Sequence, residues 1–175
     1  MQTSSNKSSQ NNEPKKPQIV MAFGTFDYFH AGHENYLKQA KALGDTLIAV
    51  IARDSTTTKV KSQKPSFPEK KRLRDVAACK HVDKAVLGNQ DDKYKIIKKI
   101  RPNVIALGYD QFAFTYGLEK FFIQEKMNSK IIRLLPFEPQ TFKSSLIKKS
   151  AQTAAQTTAT TTTPCDQEKT PVSAD

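Results

Sequence analysis

The segment Gln18-Ile19-Val20-Met21-Ala22-Phe23-Gly24-Thr25-Phe26-Asp27-Tyr28-Phe29-His30-Ala31-Gly32-His33 changes character midway. It begins as a near-continuous apolar run of strand length, passes through a glycine-containing turn, and takes up helical spacing from Gly32. A buried strand leading directly into a helix opens a β-α-β unit. The alternation continues along the chain. Strands are predicted at Gln18–Phe26, Thr46–Arg53, Lys84–Leu87, Val104–Leu107 and Lys130–Leu135, and helices at Gly32–Ala42, Glu69–Ala78, Lys93–Lys99, Leu118–Glu125 and Ser144–Lys149. Breaks fall at Gly44-Asp45, Leu87-Gly88-Asn89 and Arg101-Pro102-Asn103. Right-handed crossovers then give an α/β fold, a Rossmann-like, doubly wound, parallel five-stranded sheet. Such sheets bind ligands outside the carboxyl ends of the strands, near the switch in strand order. The rule marks the turn after Phe26, the loops after Arg53 and Gly88, and the segment Gly108–Gln111.

At 175 residues and 37% hydrophobic content the chain suits one domain. Residues 1–17 and 151–175 hold almost no large apolar side chains and are rich in Ser, Thr, Asn, Gln and Pro. They are expected to be disordered tails flanking a domain at 18–150. The net charge is +11, from 28 basic and 17 acidic side chains, and the excess lies wholly within 18–150. A basic domain favours anionic partners: nucleotides, phosphorylated small molecules or nucleic acid. Cys79 and Cys165 are far apart, with no C-x-x-C or Cys/His spacing, so neither a disulfide framework nor a zinc site is indicated. No apolar run is long enough for a membrane span, and a cytoplasmic location is expected. The Ser-rich, nearly acid-free N-terminus keeps an organelle transit peptide as the alternative.

The turn after the first strand is neither a Walker motif nor G-x-G-x-x-G, yet its physics is that of a phosphate site. A helix N-terminus presents unpaired N–H groups and the positive end of a dipole. Gly32 allows close backbone approach, and His30 and His33, three apart, share one face of the first turn. Imidazoles with an ordinary pKa of ~6.5 can donate hydrogen bonds to phosphate oxygens, or hold a proton beside a triphosphate. His81 has no such context and reads as structural.

Gly24-Thr25-Phe26-Asp27 followed by His30-Ala31-Gly32-His33 resembles the H-x-G-H signature of the cytidylyltransferase-like nucleotidyltransferases. These are Rossmann-like enzymes that join a nucleoside triphosphate to a phosphorylated acceptor and release pyrophosphate. The similarity runs over roughly residues 18–150. Within the superfamily, four further segments look most like the archaeal-type FAD synthases, which transfer AMP from ATP to FMN: Ala52-Arg53-Asp54; Lys64-Pro65 through Pro68-Glu69 and Arg72; Val82 to Gly88; and Ile105 to Gln111. The resemblance implies that Thr25 and Phe26 contact the nucleotide through their backbone, beside Ala31 and Gly32. It implies that His30 and His33 bind and polarise the triphosphate, and that Asp110 helps hold the nucleoside. Ser144, Ser145 and Lys148 match the family's second, Ser/Thr-rich helix start, which meets the β- and γ-phosphates; an ordinary Ser-capped helix is the other reading. Asp27, Lys64 and Arg72 are candidates for the acceptor or its phosphate. Mg²⁺ or another divalent cation is expected, held mainly by nucleotide phosphates and not by a protein cage.

The chain departs from the archaeal-type pattern in having Ala31 where Pro is usual and Asn103 where Asp is usual. Arg53-Asp54 reads equally as a local ion pair. Lys59, Lys61, Lys70, Lys71 and Arg74 lie in or after the loop leaving the second strand, most of them as solvated face, and the lysines around Ile96, Ile97 and Ile100 read as the exposed side of a helix. Phe112, Phe114, Tyr116, Phe121 and Phe122 either stack a flat ring such as isoalloxazine or, as such stripes more often do, form core. The reaction expected is AMP transfer from ATP to FMN. The alternatives are a cytidylyltransferase using CTP and glycerol 3-phosphate or another small phosphate ester, and an inactive binding module for nucleotides or nucleic acid. No membrane partner is expected, and related enzymes suggest a homodimer.

Overall fold

The computed structural model describes residues 16–90, 92, 94–111, 117–138, 140–141 and 148. Their elements run β1 (Ile19–Gly24), α1 (Ala31–Lys41), β2 (Thr46–Ile51), α2 (Asp54–Lys61), α3 (Glu69–Ala77), β3 (Lys84–Leu87), α4 (Lys95–Ile100), β4 (Val104–Leu107), α5 (Leu118–Gln124) and β5 (Lys130–Arg133). The five strands form one parallel sheet in the order β3-β2-β1-β4-β5. This is the doubly wound Rossmann-like sheet expected from the alternation. The order reverses between β1 and β4, and in sheets of this kind the crevice at such a switch point, outside the carboxyl ends of the strands, is where ligands bind.

The central strands carry apolar residues throughout because both faces are covered. On one face Val20 and Ala22 pack with Leu37, Ala40 and Val76 from α1 and α3. On the other, Met21 and Phe23 pack with Ile97, Leu118 and Phe122 from α4 and α5. The edge strands begin at Lys84 and Lys130, both exposed, which discourages pairing with another chain. At the amino ends of the strands, side chains close the sheet: Asp45 and Asn103 accept from the N–H groups of Gln18 and Ile19 at 2.7 and 2.8 Å, and Asp83 accepts from Leu47 at 2.6 Å. Only an acceptor oxygen is required at position 103, so Asn103 serves there as Asp would. Gly44 is required at the α1–β2 turn, since a Cβ there would stand 2.7 Å from the Gln18 carbonyl oxygen.

Three strands end two residues earlier than expected, one helix was not expected, and the remaining bounds shift by one or two residues. β1 stops at Gly24 because Phe26 takes a left-handed φ of 55°. β2 stops at Ile51 because Arg53 becomes the N-cap of α2, and β5 ends at Arg133. Helix α2, with Lys59 and Lys61 on it, replaces the expected loop. Its sequence, Asp-Ser-Thr-Thr-Thr-Lys-Val-Lys, has poor helix propensity. Thr57 and Thr58 satisfy their hydroxyls on the carbonyls of Arg53 and Asp54 at 3.0 and 2.9 Å, and tertiary bonds to α3 hold the N-terminus. The helix expected at Ser144–Lys149 falls on positions that, Lys148 apart, lie outside the described residues.

Candidate functional site

The turn joining β1 to α1 is built by burying one aromatic ring. Phe26 is 2% exposed and its ring folds back against Gly24, where a Cβ would stand 2.7 Å from Phe26 Cζ. This close approach demands glycine. Phe26 and Tyr28 both hold positive φ, 55° and 50°, a cost of roughly 1–2 kcal/mol each for non-glycine residues. Burial of the Phe26 ring offsets it, and so does Asp27, whose carboxylate accepts from the N–H groups of Ser66 and Phe67 at 2.8 and 3.0 Å. Asp27 thereby ties the turn to the segment preceding α3.

His30 is the extended N-cap of α1, and its carbonyl oxygen accepts from the N–H groups of His33 and Glu34 at 2.9 and 3.1 Å. The N–H groups of Ala31 and Gly32 belong to the helix's open end and have no carbonyl within it to bond. Alanine at the first helical position also supplies a donor that proline would lack. His33, Tyr36, Leu37 and Ala40 share the buried side of the helix, which turns the His33 ring inward against Phe26 at 5.3 Å. The two imidazoles stack, with centroids 3.9 Å apart and planes inclined by 22°. Burial lowers the His30 pKa below 6.5, so the ring is neutral at pH 7 and carries a single N–H. Helix end and imidazoles together form one polar surface at the start of α1. His81 lies 3.8 Å from Glu34 Oε1.

A second group of side chains fixes the loops on the β2 side. Arg72 is fully buried. It donates from Nε to Phe67 O at 3.0 Å, from Nη1 to Thr25 O at 2.5 Å, and from Nη2 to Ala52 O at 2.9 Å and Asp54 Oδ1 at 2.7 Å. One guanidinium thus joins the carboxyl ends of β1 and β2 to α2 and to the segment before α3. The sequence makes it, with Lys64, a candidate for the acceptor or its phosphate; four of its five donors are instead engaged inside the protein, and its geometry is that of a positioning residue. Lys64 is exposed on the neighbouring loop. Arg53 and Asp54 are not paired with each other, as one reading had them. Arg53 bonds Glu69 Oε1 at 2.8 Å and Gly88 O at 2.8 Å, while Asp54 pairs with Arg72. Asp54 and Glu69 each accept from the other's N–H, at 3.3 and 3.0 Å, so the starts of α2 and α3 cap one another.

The crevice between β1 and β4 is fastened by two residues that sequence reasoning gave no role of their own. The Tyr36 hydroxyl reaches the Ala106 carbonyl at 2.9 Å and both the N–H and carbonyl of Phe23 at 3.3 Å, bridging the strand ends where they separate. Burial and the nearby Asp110 charge push its pKa well above 10. Gln111 Nε2 donates to the Phe23 carbonyl at 2.7 Å. The available signal for Tyr36 was its place one turn beyond His33. Asp110 is exposed at the crevice mouth, beside Gly108. Ser144 and Ser145 lie outside the described residues, and Lys148 is half-buried. In the aromatic stripe, Phe122 is core and Phe121 stacks on Tyr94 at 4.7 Å; Phe112, Phe114 and Tyr116 lie outside the described residues. Among the described residues no group of three or more His, Cys, Asp and Glu could hold a metal by itself, and no helix is long and apolar enough to cross a membrane.

Residues 21–152 match the cytidylyltransferase-like family model. The chain is 42% identical over 130 residues to the FAD synthase of Thermoplasma acidophilum, covering 74% of this chain and 91% of that enzyme. It is 47% identical over 115 residues to the FAD synthase of Methanosarcina mazei, covering 66% and 75% respectively. Among solved structures it resembles one described as a lipopolysaccharide core biosynthesis protein from Thermoplasma volcanium, with 38% identity, a TM-score of 0.66, and coverage of 70% of this chain and 99% of that one. With the histidine pair at the start of α1, the crevice beside it and these likenesses in hand, the chain belongs to the cytidylyltransferase-like nucleotidyltransferases, within the group of the archaeal-type FAD synthases.

Proposed function

We propose that the protein transfers AMP from ATP to FMN, giving FAD and pyrophosphate. The observation that carries this reading is the stacked His30–His33 pair at the open N-terminus of α1, next to the β1/β4 crevice. The identity of 42–47% to enzymes named FAD synthase supports FMN as the acceptor.

A phosphate oxygen of FMN attacks the α-phosphorus in line. The new P–O bond forms as the bond from the α-phosphorus to the α,β-bridging oxygen breaks, and that electron pair leaves with pyrophosphate. A phosphomonoester is already ionised at neutral pH, so the step needs no strong general base and no protein nucleophile. Catalysis rests on positioning and on donors aimed at developing charge. The N–H groups of Ala31 and Gly32 and the two imidazoles receive the triphosphate. The backbone of Thr25 and Phe26 lines its path, and Asp110 holds the nucleoside at the crevice mouth. Lys64 and Lys148, with Ser144 and Ser145, add donors for the remaining phosphate charge.

These residues fit a divalent cation borne by the substrate: they offer hydrogen-bond donors, and among the described residues no group of three or more His, Cys, Asp and Glu could hold a metal. The ion would be held by phosphate oxygens and water, and when bound it neutralises triphosphate charge.

The test is to incubate the purified chain and Mg²⁺ with ATP plus FMN, and separately with CTP plus glycerol 3-phosphate, following pyrophosphate and FAD. FAD in the first mixture, with no pyrophosphate in the second, is the expected result. CDP-glycerol alone, or no pyrophosphate in either mixture, would overturn the proposal.

A further inference from the structure

On the opposite side of His30 from the β1/β4 crevice lies a second concavity, a shallow groove of about 530 Å³. It runs from His30 past Tyr28 and Phe67 and along α3 by Lys71, Asp75 and Ala78. Its walls differ from those of the crevice. Tyr28 and Phe67 meet edge to face, with centroids 4.9 Å apart, and the Lys71 ammonium stands 4.3 Å over the Phe67 ring. One turn further along, Lys71 Nζ bonds Asp75 Oδ2 at 2.7 Å. The groove floor is fixed from below: the Phe67 N–H is held by Asp27 and the Phe67 carbonyl by Arg72.

We infer that this groove seats the flat, three-ring portion of the phosphorylated acceptor, with its phosphate directed at His30. The inference rests on the FMN adenylyltransferase reading and names the acceptor subsite for it. Four observations carry it. The groove ends on His30, where the triphosphate is received, so an acceptor seated in it brings its phosphate next to the α-phosphorus from the α3 side, while the nucleoside belongs to the crevice at the switch point. Aromatic walls suit a flat conjugated ring. Lys71 and Asp75 set a donor beside an acceptor, one helical turn along; the imide edge of isoalloxazine, carbonyl beside N–H, presents the complementary order. From Lys71 to Ala78 the helix advances about 10 Å, comparable with the long axis of a three-ring system.

The test measures KM and kcat for FMN and ATP separately in the full chain and in Phe67→Leu and Asp75→Asn. Phe67→Leu keeps an apolar side chain but removes the ring. Asp75→Asn keeps the shape while changing the acceptor pattern, and it decides the matter should Phe67→Leu fail to fold by circular dichroism. The expected result is a rise of roughly 5- to 10-fold in KM for FMN, with KM for ATP within about twofold. Riboflavin, which has the ring without the phosphate, should compete with FMN in the parent chain and compete less well in Phe67→Leu. If the parent chain makes FAD and neither variant changes KM for FMN, the groove is not the acceptor site and the proposed function stands. A rise in KM for ATP instead would make it a nucleotide site, and dissociation of an oligomer in either variant would make it a contact between copies; both overturn the inference. A parent chain that makes no FAD refutes the underlying reading instead.

Discussion

Arg72→Met removes one guanidinium and leaves a long unbranched side chain in its slot. The native group is fully buried and joins four acceptors on four segments, the carbonyls of Thr25, Ala52 and Phe67 and the carboxylate of Asp54. Methionine leaves the carbonyls facing a thioether. An unsatisfied buried acceptor costs ~1–3 kcal/mol. The low end applies here, because Thr25 and Phe67 are only half-buried and water can reach them. Asp54 is 28% exposed and still accepts from the Glu69 N–H, so losing its ion pair adds about 1 kcal/mol after solvent screening. The total is about 3–5 kcal/mol, a large part of the ~5–15 kcal/mol typical of a domain. For a domain of this size it corresponds to a fall in Tm of roughly 10–20 °C. Thermal unfolding followed by circular dichroism reads it, with Asp54→Asn as the second arm of a double-mutant cycle. Because the same four bonds hold the carboxyl ends of β1 and β2 together, kcat/KM should fall even where the variant is folded. A Tm loss below about 3 °C, or full recovery in Arg72→Lys, would refute the reasoning, since one ammonium cannot span acceptors on all four segments.

His30→Ala and His33→Ala should each lower kcat roughly 10²-fold or more while remaining folded, as loss of a transition-state donor does elsewhere, measured by pyrophosphate release from ATP and FMN. Near-normal turnover in both variants sinks the proposed centre. A pH effect on stability follows from His30. Burial depresses its folded pKa below the 6.5 of the unfolded chain, so between the two values the unfolded state binds more protons. Stability is therefore full above about pH 6.5 and is lost as the pH falls through the folded pKa. Urea midpoints measured from pH 7.5 to 5 should decline, and His30→Asn should flatten that decline; an unchanged slope in the variant contradicts the assignment. Asp83, held below 3.8 by the Leu47 N–H and Lys41, acts in a separate window below about pH 4.

The sheet was legible because buried parallel strands announce themselves: Ile19–Phe23, Thr46–Ile51 and Val104–Leu107 are nearly all apolar, and glycine or Pro-Asn breaks separate them from helical periods. The histidine turn was legible for a similar reason, since a helix start and its first residues are local in sequence. What escaped was long-range. Helix α2 has a sequence that disfavours helix and exists through bonds made across to Glu69. The partners of Arg53 and Asp54 are exchanged because both point at α3 and not at each other. Arg72 looks in sequence like one more cation of a basic run; only its zero exposure separates it from Lys70 and Arg74, which are exposed. Tyr36 reads as ordinary helix core until β4, some seventy residues later, comes to lie under its hydroxyl.

The strand order has a consequence for the way the chain is made. β1 is the first strand synthesised and the central one in the sheet, and its second neighbour, β4, is not complete until Leu107. At a synthesis rate of about 5–20 residues per second, β1 and β2 wait several seconds after Ile51 for that neighbour. During this interval the run Val20-Met21-Ala22-Phe23 has an open ladder on one side and lacks the cover that α4 and α5 later give one of its faces. Unlike β3 and β5, it has no charge within it to discourage a foreign strand. The half-built domain is thus most exposed to aggregation on the strand that leads into the histidine turn.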